Sequence, residues 1–276
     1  MEEHISQLTH WVNHLLGPAV LQLLRLLHVP PKDLDHPISE YVVMSLVVFA
    51  IGSVAALYLR SRLSVELPGG FQQAAELLLT NPLGFGIKDL LEENTGNEAP
   101  RFIAFVGSIS IFVLLSNLLG VIPAFTSPTG NAVVPLACAL LTFIYFNWQG
   151  IRHHGLGHYL LTFAGSPKRA GEWVLAILLF PVEIISTIAR LLSLTVRLWA
   201  NIFASDLIYV IFIGLMLGPS EWGWKFNPVV GIILALFPAF IPIVFMGLHI
   251  FVSIIQAYIF TVLPSIYIGL ATADEH

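Results

Sequence analysis

Residues 182–213 read VEIISTIARLLSLTVRLWANIFASDLIYVIFI, a run with no glycine and no proline. Nothing in it breaks a helix, and at about 1.5 Å per residue the run extends ~48 Å. The hydrocarbon core of a bilayer is only ~30 Å thick, so a straight helix of this length crosses at a tilt of ~50°. The run is mostly apolar, yet it carries Glu183, Arg190, Arg197 and Asp206. Charges inside a span cost ~2.5–3.5 kcal/mol each on insertion scales and persist where they pair or face water. Each is therefore a functional candidate.

The rest of the chain agrees with a membrane setting. Of 276 residues, 57% are hydrophobic and 11% charged, with a mean hydropathy of +0.84. Soluble domains carry about 25% charged residues. This composition excludes a soluble globular protein and a disordered chain. A net charge of −5 also argues against nucleic acid, which needs a basic patch. The class is an all-α polytopic membrane protein. The single cysteine, Cys138, allows no intrachain disulfide and no cysteine-based metal site; no cofactor and no metal are expected. The opening MEEHISQ is acidic, so no cleavable leader is expected.

The gaps between charges mark the spans. Tyr41–Leu59, Phe102–Ile151 and Phe226–Ala273 hold no Asp, Glu, Lys or Arg. A crossing needs about 20 apolar residues. The second gap holds two spans, separated by a turn at Pro123, Ser127, Pro128, Thr129 and Gly130. Expected spans lie near 40–60, 102–122, 132–150, 172–217 and 227–272, in a membrane domain of residues 38–276 that follows an extramembrane segment 1–37. The last gap reads equally as two spans broken near Pro238 and Pro242 or as one long helix bent there. Residues 68–93 are amphipathic and too polar to span; they read as an interfacial helix or a solvated linker. No internal repeat is visible, which disfavours transporters built from duplicated halves.

Five crossings put Arg60, Arg62, Lys88, Arg101, Arg152, Lys168 and Arg169 on one side, and Arg25, Lys32 and Lys225 on the other. The richer side is expected to be cytoplasmic. The N-terminus is then outside and the C-terminus inside.

Helical periodicity arranges the intramembrane groups. Glu183, Arg190, Arg197 and Asn201 fall within ~40° of one stripe at 100° per residue, while Asp206 lies on the opposite face. Arg197 and Asp206 are thus no ordinary i,i+4 pair. On the last segment His249, Ser253 and Gln256 share a side. This line can meet Asp206 on the neighbouring helix, where a carboxylate beside an imidazole passes a proton. Blander readings stand beside these: His249 as a satisfied core residue, Asp206 with His249 as a structural pair, Arg190 as a snorkelling cation. Arg197 is the hardest to read as bland, because a guanidinium stays charged at any reasonable pH and this one has no local partner in the sequence.

The stretch LLSLTVRLWANIFASDLI (191–208) closely resembles the signature of subunit a of the F-type ATP synthases, roughly L-x-x-R-L-x-x-N-x-x-A-x-[EDH]-L. Arg197, Leu198, Asn201 and Asp206 fall on its marked positions. HIFVSIIQAYIFTVLPSIYIGLA (249–271) is similar to the family's last helix, with Gln256, Ala257 and Phe260. Pro181, Val182 and Glu183, and the turn SPTGNAVVPLACAL (127–140), also resemble family positions. The likeness runs from about residue 38 to the end. Asp206 stands where many members carry Glu, Trp199-Ala200 replaces the commoner Phe-Gly, and 214–230 is longer than in some members.

The resemblance implies a fold in which the last two long helices form a steeply tilted hairpin curving around a ring of c subunits. It implies a stator subunit of the Fo proton channel, not an enzyme by itself, with two offset aqueous half-channels. Arg197 would face the c-ring carboxylate. Asn201, Asp206, His249 and Gln256 would line the outer path; Glu183, with Ser193, would serve the cytoplasmic one. The implied partners are the c ring, peripheral-stalk b subunits, the F1 sector indirectly and membrane lipid, in a bacterial plasma membrane; nucleic acid is not among them. Two other readings are a proton-coupled secondary transporter using Asp206 and His249, and a membrane scaffold whose buried charges specify packing.

Overall fold

In a computed structural model, residues 6–26, 28, 30, 35–81, 84–122, 125–165 and 172–272 are described. Pro123 of the expected turn, and Lys32, Lys168 and Arg169 of the charge count, lie outside these residues. Nine α-helices and no strand occur among the described residues. They are α1 (Gln7–Leu26), α2 (Glu40–Ser61), α3 (Gly70–Leu79), α4 (Ile87–Thr95), α5 (Ala99–Leu119), α6 (Val133–His154), α7 (Leu156–Phe163), α8 (Glu172–Phe226) and α9 (Pro228–Thr272).

Five stretches are helical, long and apolar enough to cross a bilayer: Glu40–Ser61, Ile87–Leu119, Val133–His154, Trp173–Gly214 and Ile243–Thr272. The helix containing the quoted run is longer than the run itself. α8 has 55 residues, a contour of about 80 Å, and passes through Pro181. α9 has 45 residues and is continuous through Pro238 and Pro242. Of the two readings open for that segment, the unbroken helix is the one found. Proline removes one donor and crowds the preceding turn, which membrane helices tolerate where neighbours or water meet the freed carbonyl. Residues 68–93 form two short helices, α3 and α4, rather than one. Gly84, at φ 75°, lies between them, and the Asn81 amide donates to Asp89 Oδ2 at 2.8 Å.

The chain falls into two compact units, to each of which the long helices contribute. The first comprises Met1–Val54, Phe112–Val134 and Trp199–Ile255. Its core gathers Met44, Val48 and Leu119, with Phe112, Leu115 and Phe125 against them. Here Asn13 of α1 acts as a clasp: its Nδ2 donates to the Ile38 carbonyl at 3.0 Å and its Oδ1 accepts from the Ile38 amide at 2.9 Å. A buried amide pair costs ~1–3 kcal/mol when one partner is removed. Asn13→Ala is therefore expected to speed hydrogen exchange of the Ile38 amide about 10- to 100-fold, read by mass spectrometry of the assembled complex.

The second unit comprises Ala55–Ile111, Pro135–Leu198 and Gln256–His276. Ile87, Leu91, Ala99, Phe102, Val106, Phe146 and Ile268 form its core, and Phe105 stacks on Tyr145 with centroids 3.6 Å apart. Two of its buried hydroxyls are paired: Thr261 Oγ1 donates to Ser110 Oγ at 2.8 Å, and Ser110 Oγ to the Ala257 carbonyl at 3.0 Å. Gly269 lets α9 approach α4 closely, since a Cβ there would collide with the Asn94 carbonyl. Much of α8 is uncovered: Val174 is 74% and Ile177 76% exposed. Apolar surface of this extent suits lipid or a partner chain, not water.

Candidate functional site

The expected site residues divide between the units. Asn201, Asp206 and His249 belong to the first; Glu183, Ser193, Arg197 and Gln256 belong to the second.

In the first unit Asp206 and His249 line one cavity of about 440 Å³, together with Glu40, Thr126, Ser127 and Ser205. α8 supplies Ser205 and Asp206, α9 supplies His249, and the N-terminus of α2 supplies Glu40. A carboxylate at a helix N-terminus is favoured by the helix dipole, and Glu40 Oε1 also accepts from Thr126 Oγ1 at 3.1 Å. The Ser127–Gly130 turn comes close to Asp206: a Cβ on Gly130 would lie 3.3 Å from Asp206 Oδ2. His249 is buried at 8% exposure. Its Nε2 is 3.1 Å from the Asn117 carbonyl. A carbonyl can only accept, so Nε2 carries the hydrogen of this contact. Ser253, expected on the same side, bonds the His249 main-chain carbonyl at 2.7 Å, not the ring. Asn201 is half-buried, and its main-chain carbonyl accepts from Ser205 Oγ at 3.0 Å.

Sequence reasoning gave no site role to Asn117, Glu40 or the turn residue Thr129. Asn117 and Thr129 are fully buried and joined at 2.6 Å. The available signal was the polar pair Ser116-Asn117 inside an apolar span, facing a turn already marked by Ser127 and Thr129.

In the second unit the stripe on α8 resolves into two environments. Arg190 Nη2 pairs with Glu183 Oε1 at 3.2 Å, and its guanidinium stands 5.5 Å from the Tyr267 ring centroid. Seven residues is two helical turns, which brings these long side chains together along one face. Arg197 differs. It is exposed, donates to Ser193 Oγ at a long 3.5 Å, and meets no carboxylate among the described residues. Gln256 is buried, with Oε1 unpartnered among the described residues. Outside the spans, Tyr159 on α7 donates its hydroxyl to Asn147 Oδ1 at 3.1 Å. Burial, and then the Glu183 carboxylate, push that phenol up to about 12, so it remains a donor.

One apolar chain thus carries a cavity of about 440 Å³ bearing an acid and an imidazole, and a guanidinium with no counter-ion among the described residues. Comparison with known proteins agrees with the sequence signature. The family model described as ATP synthase A chain matches residues 41–269. An ATP synthase subunit a of Solibacter usitatus is 40% identical over 241 residues, covering 87% of this chain and 90% of the relative. One of Koribacter versatilis is 35% identical over 273 residues, 99% of each chain. One of Desulfosudis oleivorans is 33% identical over 241 residues, 87% of this chain and 89% of the relative. The chain belongs to the ATP synthase A chain family, that of subunit a of the F-type ATP synthases.

Proposed function

We propose that this chain is the static membrane subunit of an ATP synthase Fo sector, and that it couples transmembrane proton flow to rotation of a c ring. The observation that carries this reading is Arg197: an exposed, permanently charged guanidinium on an apolar helix, with no carboxylate of its own among the described residues. Such a group calls for an anion beyond the described residues. The lipid-facing carboxylate of a c subunit supplies one.

The steps follow from charge. A c-ring carboxylate arriving protonated enters the field of Arg197, which favours the ionised form, and its proton leaves into one half-channel. The bare carboxylate is drawn past Arg197 and takes a proton from the other. The cavity bearing Glu40, Ser205, Asp206 and His249 serves as the outer half-channel, and Asn201 and Gln256 are assigned to the same outer path. Glu183 and Ser193 serve the cytoplasmic path, Ser193 also steadying Arg197. The cation repels protons and so blocks a direct leak. Each proton delivers ~2.3 kcal/mol per 100 mV, so rotation must sum several of them per ATP. ATP chemistry belongs to other subunits, since no phosphate-binding Gly-rich loop with Lys is found in this sequence.

In this reading residues 1–37 are extramembrane, α3 and α4 lie at the interface, and the chain sits in a bacterial plasma membrane with its N-terminus outside and its C-terminus in the cytoplasm. Its partners are the c ring, peripheral-stalk b subunits and lipid, with F1 reached indirectly. Sidedness gives a direct test. The native thiol, Cys138, is buried, so Ser205→Cys adds one reactive site in the cavity. A membrane-impermeant maleimide is expected to label it in right-side-out vesicles and not in inverted ones. The reverse pattern would overturn the orientation and the assignment of the cavity to the outer path.

A further inference from the structure

We infer that the hydroxyls of Ser127 and Thr129 fix the direction of the Asn117 carboxamide, turning its oxygen away from Thr129 to act as a buried acceptor in the proton path beside His249. The inference rests on the half-channel reading above and assigns two positioning residues to it.

It follows from counting hydrogens. Ser127 Oγ is 2.9 Å from the Ser116 carbonyl and 2.7 Å from Thr129 Oγ1. Thr129 Oγ1 is 2.6 Å from the near end of the Asn117 carboxamide. A hydroxyl has one hydrogen to give. The Ser116 carbonyl only accepts, so it takes the hydrogen of Ser127. Ser127 then accepts from Thr129, which uses the hydrogen of Thr129. Thr129 can now only accept, and the group that gives to it must be an amide N–H₂. The two ends of a carboxamide have nearly the same shape, and their partners decide which is which. With the nitrogen toward Thr129, all three contacts hold a hydrogen. With the oxygen there, one contact has none and the amide nitrogen is buried without an acceptor. Orphaned buried N–H groups are rarer than under-used carbonyl oxygens.

The oxygen at the far end is then an acceptor in a fully buried residue. The same residue's main-chain carbonyl takes the Nε2 hydrogen of His249 at 3.1 Å. Asn117 thus holds the imidazole with its backbone and carries a second, fixed acceptor on its side chain. The other ionisable groups of this region are Asp206 from α8 and Glu40 from α2, which line the cavity with His249.

The test is ATP-driven proton pumping by inverted vesicles, expressed per assembled complex, for Thr129→Val, Thr129→Ser and Ser127→Ala beside Arg197→Ala. Thr129→Val keeps the shape but removes the hydroxyl, and is expected to lower pumping about tenfold. Thr129→Ser keeps the hydroxyl and is expected to stay within about twofold of native. Ser127→Ala frees the Thr129 hydrogen to turn toward Asn117, permits the opposite amide direction, and is expected to lower pumping about threefold. Native pumping by Thr129→Val, or equal losses for Val and Ser at 129, would overturn the inference. If Thr129→Val does not assemble, native pumping by Ser127→Ala would overturn it. Native pumping by Arg197→Ala would instead overturn the half-channel reading on which it rests.

Discussion

Arg197→Lys is expected to lower ATP-driven proton pumping by about tenfold to a thousandfold while leaving the complex assembled. The change keeps a positive charge, so a purely Coulombic role would survive it. The role assigned to Arg197 needs more. A guanidinium is planar, offers donors in a rigid fork and does not release its proton, whereas a compact ammonium gives up its proton readily when desolvated. Arg197 has Ser193 Oγ at 3.5 Å as its recorded hydrogen-bond partner, so its geometry must be completed by the passing carboxylate. An opposite charge close by lowers a carboxyl pKa by ~1–3 units. Losing that effect slows deprotonation of the arriving carboxyl by about tenfold to a thousandfold. Assembly should not suffer, because the side chain is exposed and buries no packing surface. Vesicle acidification at matched amounts of complex measures the effect, and normal pumping would remove the guanidinium's special role.

Asp206→Asn is expected to lower proton flux about a hundredfold without loss of the complex. The substitution is nearly isosteric, so the close approach of the Gly130 turn, 3.3 Å from a Cβ position to Asp206 Oδ2, is preserved. What is lost is a group that binds and releases a proton in the cavity shared with His249 and Glu40. Those two groups remain, which makes the loss partial. Flux across a pH series is the measurement, and a profile unchanged from native would take Asp206 off the path.

These residues differ in how far the sequence announced them. The long α8 was legible because the absence of glycine and proline from Val182 to Ile213 is a statement about backbone, and backbone decides helix continuity. The Glu183–Arg190 pair at 3.2 Å follows from the same periodicity, since a helix repeats its faces wherever it lies. α9 was ambiguous because proline in a membrane helix is decided by what surrounds it, and surroundings are tertiary. The break of 68–93 into α3 and α4 hinges on Gly84 and on the Asn81–Asp89 bond, which an amphipathic pattern does not register. His249 was picked out by residue type, yet its partner is the main-chain carbonyl of Asn117. Every residue has such a carbonyl, so no sequence pattern points to this one. The clasp of Asn13 on Ile38 was hidden for the same reason.

The central claim is that Arg197 stands in the ion path. ATP-driven acidification of inverted membrane vesicles, native against Arg197→Ala at equal amounts of assembled complex, tests it most directly. Acidification by the native complex and none by the Arg197→Ala complex is the predicted result. Undiminished acidification by Arg197→Ala would contradict it.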